Sequence, residues 1–466
     1  MKKTTAFTPL LLVLGASTGA QTLPSGTRLG ATGFLVGSVA NVGNADQEGI
    51  VNWGSASKVQ TVIEREMGLI QTTAYPAWET WSGTGMSNVA FDLTNANQSI
   101  NWAKAQGKKV EVHLLAGSPT YFPSWLDAGT WTPAQLDTLL NHWITFAMTT
   151  NGNAAKVDYW NVVNEAFMWN GSYWDSSSTA NKCPWQEMGW EADKSGLTGT
   201  AKVYSQHPAY IRRAFQLARQ HTTAKLELRD YYIEFWDGSL KTRAFYQLVK
   251  HLLASGTPLD AVGFQCHWRT DLTYNWALLQ QAVQQYRKLG LEVYVTETDY
   301  GDADPTAAAT TAHRTAAWDT LQGKDYHDFV KAAVGGGANL ICLWGVADNS
   351  NLYWRKGQSA LLFDENYAAK YSYYQFRQGI LDGLATTSVR ETAARAGQVP
   401  RATVRGGKIL VEGFADGWAE ISDLKGAWVA VVDIEAGSAS IPRLARGLYV
   451  LRPVRGGVSA LVDVAR

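Results

Sequence analysis

Short β-branched segments alternate with longer amphipathic segments from residue 30 to about residue 382, and this alternation restricts the fold more than any other feature. A strand followed by a helix and a further strand is typical of a parallel sheet with crossover helices. Eight strands can be counted, and eight strands close a (β/α)8 TIM barrel of the α/β class. We expect them near Gly33–Val39, Gly68–Thr73, Lys109–Ala116, Val157–Val163, Lys225–Arg229, Ala261–His267, Glu292–Thr296 and Asn339–Trp344.

The helical segments predict an outer ring around this barrel. In five of them apolar residues recur at spacings of three and four, as they do on one face of a helix. A barrel with insertions can absorb most of a 466-residue chain and leaves room for one small further domain. The five segments are Ser99–Gln106, Pro133–Thr149, Pro208–His221, Leu240–Ala254 and Trp276–Leu289.

Both ends of the chain differ in composition from the predicted barrel, which we place at residues 22–383. Residues 1–20 are typical of a secretory signal peptide, with two lysines, an apolar run and small residues before the expected cleavage after Ala20. That run is too short to span a bilayer, so we expect a soluble, secreted protein, extracellular or periplasmic. Residues 384–400 are expected to form a linker. Residues 401–466, where short strands alternate with glycine pairs, are expected to form a small C-terminal β-sandwich domain for sorting, glycan binding or packing.

The composition argues against several classes of ligand. The chain carries 41 Lys and Arg against 41 Asp and Glu, which gives no electrostatic reason to bind nucleic acid or an anionic membrane. A neutral ligand fits better, and 20 Trp and 20 Tyr could stack on sugar rings, although most aromatic residues in any protein are core. Three cysteines do not imply a disulfide framework. The eight histidines show no metal-ligand spacing, so neither a metal nor another cofactor is expected.

Two glutamates lie where predicted strands end. Glu165 ends the run Trp160-Asn161-Val162-Val163-Asn164-Glu165, and Glu297 follows 132 positions later in Val293-Tyr294-Val295-Thr296-Glu297-Thr298-Asp299. Strand ends on one face of a parallel barrel direct side chains from distant parts of the chain into one pocket. A lone glutamate at a strand end is more often a salt-bridged surface residue. A facing pair, however, could protonate a leaving oxygen and attack an anomeric carbon, which predicts a glycoside hydrolase.

Four motifs resemble those of glycoside hydrolase family 10, the endo-β-1,4-xylanase family. The family's Trp-Asp-Val-Val-Asn-Glu acid/base motif appears as Trp160–Glu165, and its Thr-Glu-Leu-Asp nucleophile motif as Thr296–Asp299. Its Gly-Phe-Gln-Ser-His strand appears as Gly263–His267, and its final strand as Leu343–Asp348. The run Leu361–Tyr367 extends the match, so the motifs follow in family order along most of the chain.

The resemblance implies a retaining, endo-acting hydrolase of internal β-1,4 bonds in xylan or a similar plant polysaccharide. Glu165 would be the acid/base and Glu297 the nucleophile, with their carboxyl groups about 5–5.5 Å apart. The pKa of Glu165 would fall once Glu297 is covalently occupied and no longer repels it. Asn164 would hold the sugar 2-hydroxyl, and His267 would hydrogen-bond Glu297 and keep it ionised.

The resemblance also implies a set of substrate contacts. Two tryptophans would floor and cover the central subsite, although core packing is an alternative for both of them and for the histidine on the sixth strand. The implied substrate-binding residues are His113, Asn164, Gln265, His267, Trp344 and Trp354.

Two motifs of the family are altered in this chain. On the second strand the family has Glu-Asn-Glu-Met-Lys-Trp, whose Asn and Lys bind the sugar on the non-reducing side. Here that position holds Thr72–Trp81, without the lysine. On the third strand His113 is kept, but a Trp, a second His and a Gln are lost. Each lost hydrogen bond would cost roughly 0.5–1.5 kcal/mol of sugar binding unless Tyr75, Trp78 and Trp81 replace the polar contacts by stacking.

The altered motifs leave two alternatives to a xylanase. One is a related retaining β-glycanase with a different glycone specificity, and the other is a non-catalytic carbohydrate-binding barrel. The second is disfavoured because a binding domain does not need a hydrogen-bonded nucleophile opposite an acid. In every case the expected partner is a polysaccharide, xylan or a similar β-glycan, and the expected state is a monomer.

Overall fold

The computed structural model describes most of the chain. The described residues are 28–40, 58–74, 83–119, 123–174, 182–301, 315–348, 355 and 357–395, together with seven strands between residues 401 and 464. The predicted signal peptide, residues 1–20, lies outside this part of the chain.

Eight parallel strands form a closed barrel, as predicted. Consecutive strands pair with each other, and the eighth strand pairs with both the seventh and the first, which closes the sheet. The predicted strand positions agree with the structure to within a few residues. The strands are β1 (Leu35–Val39), β2 (Leu69–Thr73), β3 (Lys109–Ala116), β4 (Tyr159–Asn164), β5 (Lys225–Asp230), β6 (Ala261–Phe264), β7 (Glu292–Gly301) and β8 (Leu340–Leu343).

One long helix follows each strand, and all five predicted helices are present. Among the described residues, no helix is both long enough and apolar enough to cross a membrane. The helices are α1 (Lys58–Glu66), α2 (Thr94–Ala105), α3 (Pro133–Thr149), α4 (Ala209–Arg219), α5 (Leu240–Ala254), α6 (Trp276–Lys288), α7 (Ala316–Gly336) and α8 (Tyr371–Arg395).

Three of the helices, α1, α7 and α8, were not predicted. For α7 and α8 their mutual contact explains why. They pack closely through glycines, because a Cβ at Gly379 would lie 2.6 Å from the His327 carbonyl oxygen and one at Gly383 would lie 2.7 Å from Val334 Cβ. Small residues on the contact face interrupt the apolar repeat that identifies a helix in sequence. Helix α8 also continues to Arg395, so most of the segment predicted as a linker, residues 384–400, is helical.

Helix α3 illustrates how the sequence specifies these elements. Thr132 and Gln135 form a reciprocal capping box, and Pro133 occupies the first turn, where its missing N–H costs nothing. Trp143 Nε1 donates to the Leu115 carbonyl oxygen at 2.7 Å, which fixes the helix to β3. The side chains that α3 buries recur at spacings of three and four: Leu136, Leu139, Leu140, Trp143, Ile144, Ala147 and Met148.

Side chains alternate between the two sides of the barrel wall. On β3, Val110 and Val112 belong to the main apolar cluster that packs with the helices, whereas Glu111 and His113 point inwards. A smaller apolar cluster, separate from the helices, fills the interior near the amino-terminal ends of the strands. It consists of Leu69, Ala261, Tyr294, Leu340 and Cys342. Towards the carboxyl-terminal ends of the strands the interior is polar and charged, and this is the end of a barrel at which active sites are found.

Short elements complete the barrel domain. The segment after β4 contains two short antiparallel strands that pair with each other, and a short strand after β6 pairs with the end of β7. The short elements are Leu29–Thr32, Met86–Asn88, Ser124–Ala128, Thr150–Gly152, Asn153–Lys156, Pro184–Met188, Trp190–Ala192, Gly199–Ala201, Gln206–Pro208 and His267–Arg269.

The predicted C-terminal domain, residues 401–466, contains one seven-stranded sheet. All its pairings are antiparallel except that of the first strand with the last. The expected division into two facing layers stays a prediction. The strands are β9 (Arg401–Arg405), β10 (Lys408–Glu412), β11 (Gly417–Asp423), β12 (Trp428–Ile434), β13 (Ser438–Ser440), β14 (Gly447–Pro453) and β15 (Ala460–Val464).

We expect Gly263→Ala to destabilise the barrel, because a Cβ at this position on β6 would overlap the buried Glu227 carboxyl group. Overpacking of this kind lowers the free energy of unfolding by about 1–3 kcal/mol. Urea unfolding of the variant measures the change. Gly30→Ala is the matched control, since a Cβ at Gly30 meets no atom within 4 Å. Equal stability of both variants would contradict the tight fit between Gly263 and Glu227.

Candidate active site

Glu165 directly follows β4, at a turn in the backbone. Its φ is 51°, a left-handed conformation that is uncommon for residues other than glycine. The backbone is fixed there on both sides: Glu165 N donates to the Arg229 carbonyl oxygen at 2.9 Å, and Trp174 Nε1 donates to the Glu165 carbonyl oxygen at 2.7 Å. The turn therefore holds the Glu165 side chain in one place at the carboxyl end of the barrel.

Glu297 lies within β7 and is almost fully buried, with 4% of its surface exposed. The pairing of β7 with β8 shifts register between Val295 and Thr298, so the strand is irregular at the glutamate itself. Bulges of this kind occur next to active sites, where they redirect a side chain.

Gln265 contacts both glutamates. Its Nε2 donates to Glu165 Oε1 at 2.8 Å, and its carbonyl oxygen accepts a hydrogen bond from Glu297 N at 3.1 Å. Gln265 Nε2 also lies 3.5 Å from Asn164 Oδ1. The two glutamates, far apart in sequence, thus share one neighbour at the carboxyl ends of β4, β6 and β7.

His267 joins Glu297 to a further carboxylate. Its Nε2 lies 3.2 Å from Glu297 Oε2, which is the predicted hydrogen bond, and its Nδ1 lies 3.0 Å from Asp299 Oδ2. Burial disfavours the charged imidazole, but Asp299 and then Glu297 outweigh it and raise the pKa of His267 to about 9. Both ring nitrogens therefore donate, and His267 is an imidazolium at neutral pH.

The two glutamates have opposite protonation preferences. Burial works to raise the pKa of Glu297, but the hydrogen bond from His267, and then the neighbouring His113 and Arg229, lower it to about 2. The pKa of Glu165 is raised, mainly by burial and further by the negative charge of Glu297, although its hydrogen bond from Gln265 opposes the change. One ionised carboxylate beside one carboxyl group that favours its proton is the arrangement of a nucleophile with a general acid.

Arg229 was not predicted as a site residue, yet it contacts Glu297 directly. Its side chain on β5 is fully buried, and Nη1 donates to Glu297 Oε1 at 3.2 Å. Nε and Nη2 donate to the two oxygens of Glu227 at 2.8 and 3.1 Å, and Nη2 also donates to Glu111 Oε1. The sequence carried a signal for it, because charged residues alternate with two leucines in β5 and so share the inner side of the strand.

Two further strands reach the same guanidinium. With its amide oxygen facing Arg229, Gln71 on β2 accepts from Nη1 at 3.2 Å and donates to the Thr296 carbonyl oxygen at 2.9 Å. His113 Nδ1 on β3 lies 3.1 Å from the same Nη1 and 2.9 Å from Asn161 Oδ1. Burial lowers the pKa of His113, so this imidazole is neutral.

The remaining predicted substrate contacts fall into two groups. Asn164 is buried and Trp344 is partly buried at the same end of the barrel. The Trp344 ring meets His113 and His267 in T-shaped contacts at centroid distances of 5.6 and 6.3 Å. Trp354 lies outside the described residues, as do three aromatic residues of the altered second-strand motif, Tyr75, Trp78 and Trp81.

A family model described as Glycosyl hydrolase family 10 matches residues 34–378. Endo-1,4-beta-xylanase A of Cellvibrio japonicus (strain Ueda107) is 29% identical over 327 residues, covering 63% of this chain and 47% of the relative. Endo-1,4-beta-xylanase B of Neocallimastix patriciarum is 27% identical over 330 residues, covering 68% of this chain and 32% of the relative. The chain thus spans less than half the length of either relative.

Solved structures share the fold. Native xylanase 10B from Thermotoga maritima gives a TM-score of 0.60 at 23% identity, covering 76% of this chain and 96% of that chain. A variant of xylanase 10C from Cellvibrio japonicus in complex with xylopentaose gives a TM-score of 0.59 at 24% identity, covering 75% of this chain and 67% of that chain. At these identities the likeness concerns the architecture of the barrel.

A buried polar cluster supports the segment that follows β4. His207 Nδ1 lies 2.6 Å from the Tyr173 hydroxyl, and its Nε2 lies 3.4 Å from Asp193 Oδ1. His251 Nδ1 accepts from Lys194 N at 3.0 Å, and its Nε2 lies 3.2 Å from Glu191 Oε2. Asp193, His207 and His251 have the donor types of a metal site, but their ligand atoms already have partners within the protein. The cluster is therefore best explained as a hydrogen-bonded support.

This support should weaken at acid pH. Burial lowers the pKa of His207 to about 4, below the ordinary value of 6.5, so between these values the unfolded chain binds a proton that the folded chain does not. The free energy of unfolding should consequently fall by up to about 3 kcal/mol as the pH drops through this window. His207→Gln should flatten that pH dependence in thermal unfolding, whereas His142→Gln, on α3 outside the cluster, should keep it. Parallel curves for the wild type and His207→Gln would exclude His207 as the cause.

Proposed function

Because the chain belongs to glycosyl hydrolase family 10, we propose that it hydrolyses internal β-1,4 bonds of xylan with retention of configuration. The observation that carries the proposal is the opposite pKa shift of two glutamates, Glu165 partly buried and Glu297 buried, that share Gln265 as a neighbour. Retaining glycosidases need one carboxyl group that holds a proton and one that does not.

In the first step Glu165 gives its proton to the glycosidic oxygen while Glu297 attacks the anomeric carbon. The C–O bond to the leaving sugar breaks, and a glycosyl ester forms on Glu297. The hydrogen bonds from His267 and Arg229 keep Glu297 ionised before attack. Burial raises the pKa of Glu165 and so favours the protonated form that the leaving group needs.

In the second step Glu165, now ionised, takes a proton from water, and the water oxygen attacks the anomeric carbon of the ester. The ester bond breaks, Glu297 leaves as a carboxylate, and Glu165 is protonated again. Once Glu297 carries the sugar, its negative charge no longer raises the pKa of Glu165. The same glutamate can therefore act as an acid in one step and a base in the next.

The sugar-binding surface supports a neutral, hydroxyl-rich substrate. Asn164 Nδ2 is buried beside the Glu165 carboxyl group and could donate to a sugar 2-hydroxyl. Trp344 lies beside His267 and could stack on the ring of the same sugar. The altered motifs on β2 and β3 favour a second candidate, a retaining β-glycanase that accepts a different sugar on the non-reducing side.

The remaining expectations are proposals as well. Residues 1–20 would direct export and be removed, which mass spectrometry of the secreted protein's N-terminus would test. The mature protein would act as a monomer, with its barrel at residues 22–383 followed by a small β-domain at 401–466. Deleting residues 401–466 should lower affinity for insoluble polysaccharide if that domain binds glycan.

We expect Glu297→Ala to abolish the release of reducing ends from β-1,4-xylan, because no carboxylate remains to attack the anomeric carbon. Azide should partly restore turnover of an aryl β-xylobioside and should give the α-glycosyl azide. In Glu165→Ala, azide should give the β-glycosyl azide, since it then attacks the ester on Glu297. Without azide, the turnover of Glu165→Ala should be roughly 10²–10⁴-fold lower than that of the wild type, because the acid/base is lost. NMR of the azide products distinguishes the two anomers.

Glu292→Ala is the control, because Glu292 lies on the same strand at the opposite end of the barrel and pairs with Lys225 at 2.7 Å. It should keep full activity. Activity of the wild type on mixed-linkage glucan, cellulose or mannan alone would support the second candidate. A lack of activity on every glycan in that panel would refute catalysis and support a carbohydrate-binding barrel.

The pH dependence of kcat/KM should be a bell with widely separated limbs. Glu297 must be ionised and Glu165 protonated, so activity should fall at acid pH only near pH 2, where Glu297 takes up a proton. At alkaline pH it should fall above the ordinary range of a glutamate, because the pKa of Glu165 is raised. Initial rates on a soluble aryl glycoside give both limbs. An acid limb above pH 4 would contradict the strongly lowered pKa of Glu297.

A further inference from the structure

We propose that Arg229 is the positioning residue that fixes the nucleophile and supplies its balancing charge, an inference that rests on the proposed retaining function. Arg229 would not touch the sugar, because its side chain is fully buried beneath Glu297 inside the barrel. It would act through the Glu297 carboxylate in both steps of the reaction.

The first argument is geometric. The two oxygens of Glu297 are held from two sides, with Oε2 bound by His267 and Oε1 bound by Arg229, each at 3.2 Å. His267 alone would leave the carboxylate free to rotate about its last bond. With both oxygens held, the carboxylate plane is fixed before the substrate arrives, which is the kind of preorganisation that catalysis requires.

The second argument is the balance of charges. The imidazolium of His267 is shared with Asp299, at 3.0 Å, and Arg355 also lies 3.2 Å from Asp299. Arg229 is the cation that contacts Glu297 from inside the barrel. It does so while facing Glu111 and Glu227, both fully buried.

One guanidinium cannot neutralise three buried carboxylates. Burial, and then the negative charge of Glu297, raise the pKa of Glu227 well above its usual range, which favours its protonated form. The charge of Arg229 is thereby left to Glu297 and Glu111. The guanidinium is itself held by Glu227, whose carboxyl group rests against Gly263, where only glycine fits.

The third argument follows from the mechanism. Glu297 loses its negative charge when the glycosyl ester forms and regains it when water releases the sugar. A cation next to Oε1 makes the carboxylate a better leaving group, so it should favour the second step most. Loss of Arg229 should consequently slow the hydrolysis of the ester more than its formation.

The test compares Glu111→Gln with the double variant Glu111→Gln/Arg229→Gln. Removing Glu111 in both chains avoids a buried carboxylate without a counter-ion, so that the double variant can fold. The only difference between them is the guanidinium. Since the glutamine amide that replaces this guanidinium could still donate one hydrogen bond, a change between the two reports mainly the charge.

The first readout needs no substrate. The pKa of Glu297 can be read from the ¹³C shift of its carboxyl carbon, assigned by comparison with Glu297→Gln. In Glu111→Gln it should stay near that of the wild type, about 2. In the double variant it should rise by roughly 1–3 pH units. A pKa equal to that of Glu111→Gln would overturn the proposal, whether or not the protein hydrolyses any glycan.

The second readout is kinetic, on a dinitrophenyl β-xylobioside, whose good leaving group makes the second step limiting. The double variant should show a burst of dinitrophenolate close to one per folded site, followed by a steady rate roughly a hundredfold lower than that of Glu111→Gln. The burst counts competent sites, so a misfolded fraction cannot imitate the effect. Equal steady rates per site would overturn the proposal, whereas a wild type without activity would refute the proposed function instead.

Discussion

The barrel interior depends on the ion pairs of one buried guanidinium. Arg229 connects β5 to carboxylates on β3 and β7 and holds Glu227 on its own strand, and of these groups only Glu297 retains slight exposure. A cluster of this kind is stable only while its charges are matched, because a buried carboxylate that loses its partner costs about 3–5 kcal/mol. Folding of the barrel and ionisation of Glu297 consequently depend on the same residue. The small apolar cluster at the amino-terminal ends of the strands closes the interior beneath these charges.

The different partners of Glu165 and Glu297 explain how two similar residues take opposite roles. Both are deeply placed, and burial favours the protonated form of each. Glu297 has two cationic donors, whereas Lys241, the cation whose charge acts on Glu165, is already paired with Asp230 at 2.7 Å. Gln265 donates to Glu165 but brings no charge. The environment therefore separates the two pKa values, which the identity of the residues could not do.

The sequence predicted the elements whose information is local. Strands and five helices followed from periodicity, and the two glutamates and His267 followed from short motifs at strand ends. Arg229 was missed because its partners lie 68 and 118 positions away, and no spacing along the chain shows that they meet. Helices α7 and α8 were missed because glycines occupy their contact. Arg229 and the two helices thus depend on tertiary contacts. At these contacts small or charged side chains stand where a sequence pattern would need apolar residues.

Strands β2 and β3, whose family motifs are altered, affect both the sugar specificity and the surroundings of the Arg229 charge. Gln71 on β2 and His113 on β3 both contact Arg229, so the two strands with altered motifs also surround the cation that faces Glu297. Trp344 stays held edge-on between a neutral His113 and a charged His267. A sugar can stack on an indole whatever hydroxyl contacts β2 provides. The chemistry at the anomeric carbon can therefore be kept while the polar contacts to the neighbouring sugar diverge, because Gln265, His267 and Arg229, which contact the two glutamates, lie outside β2 and β3.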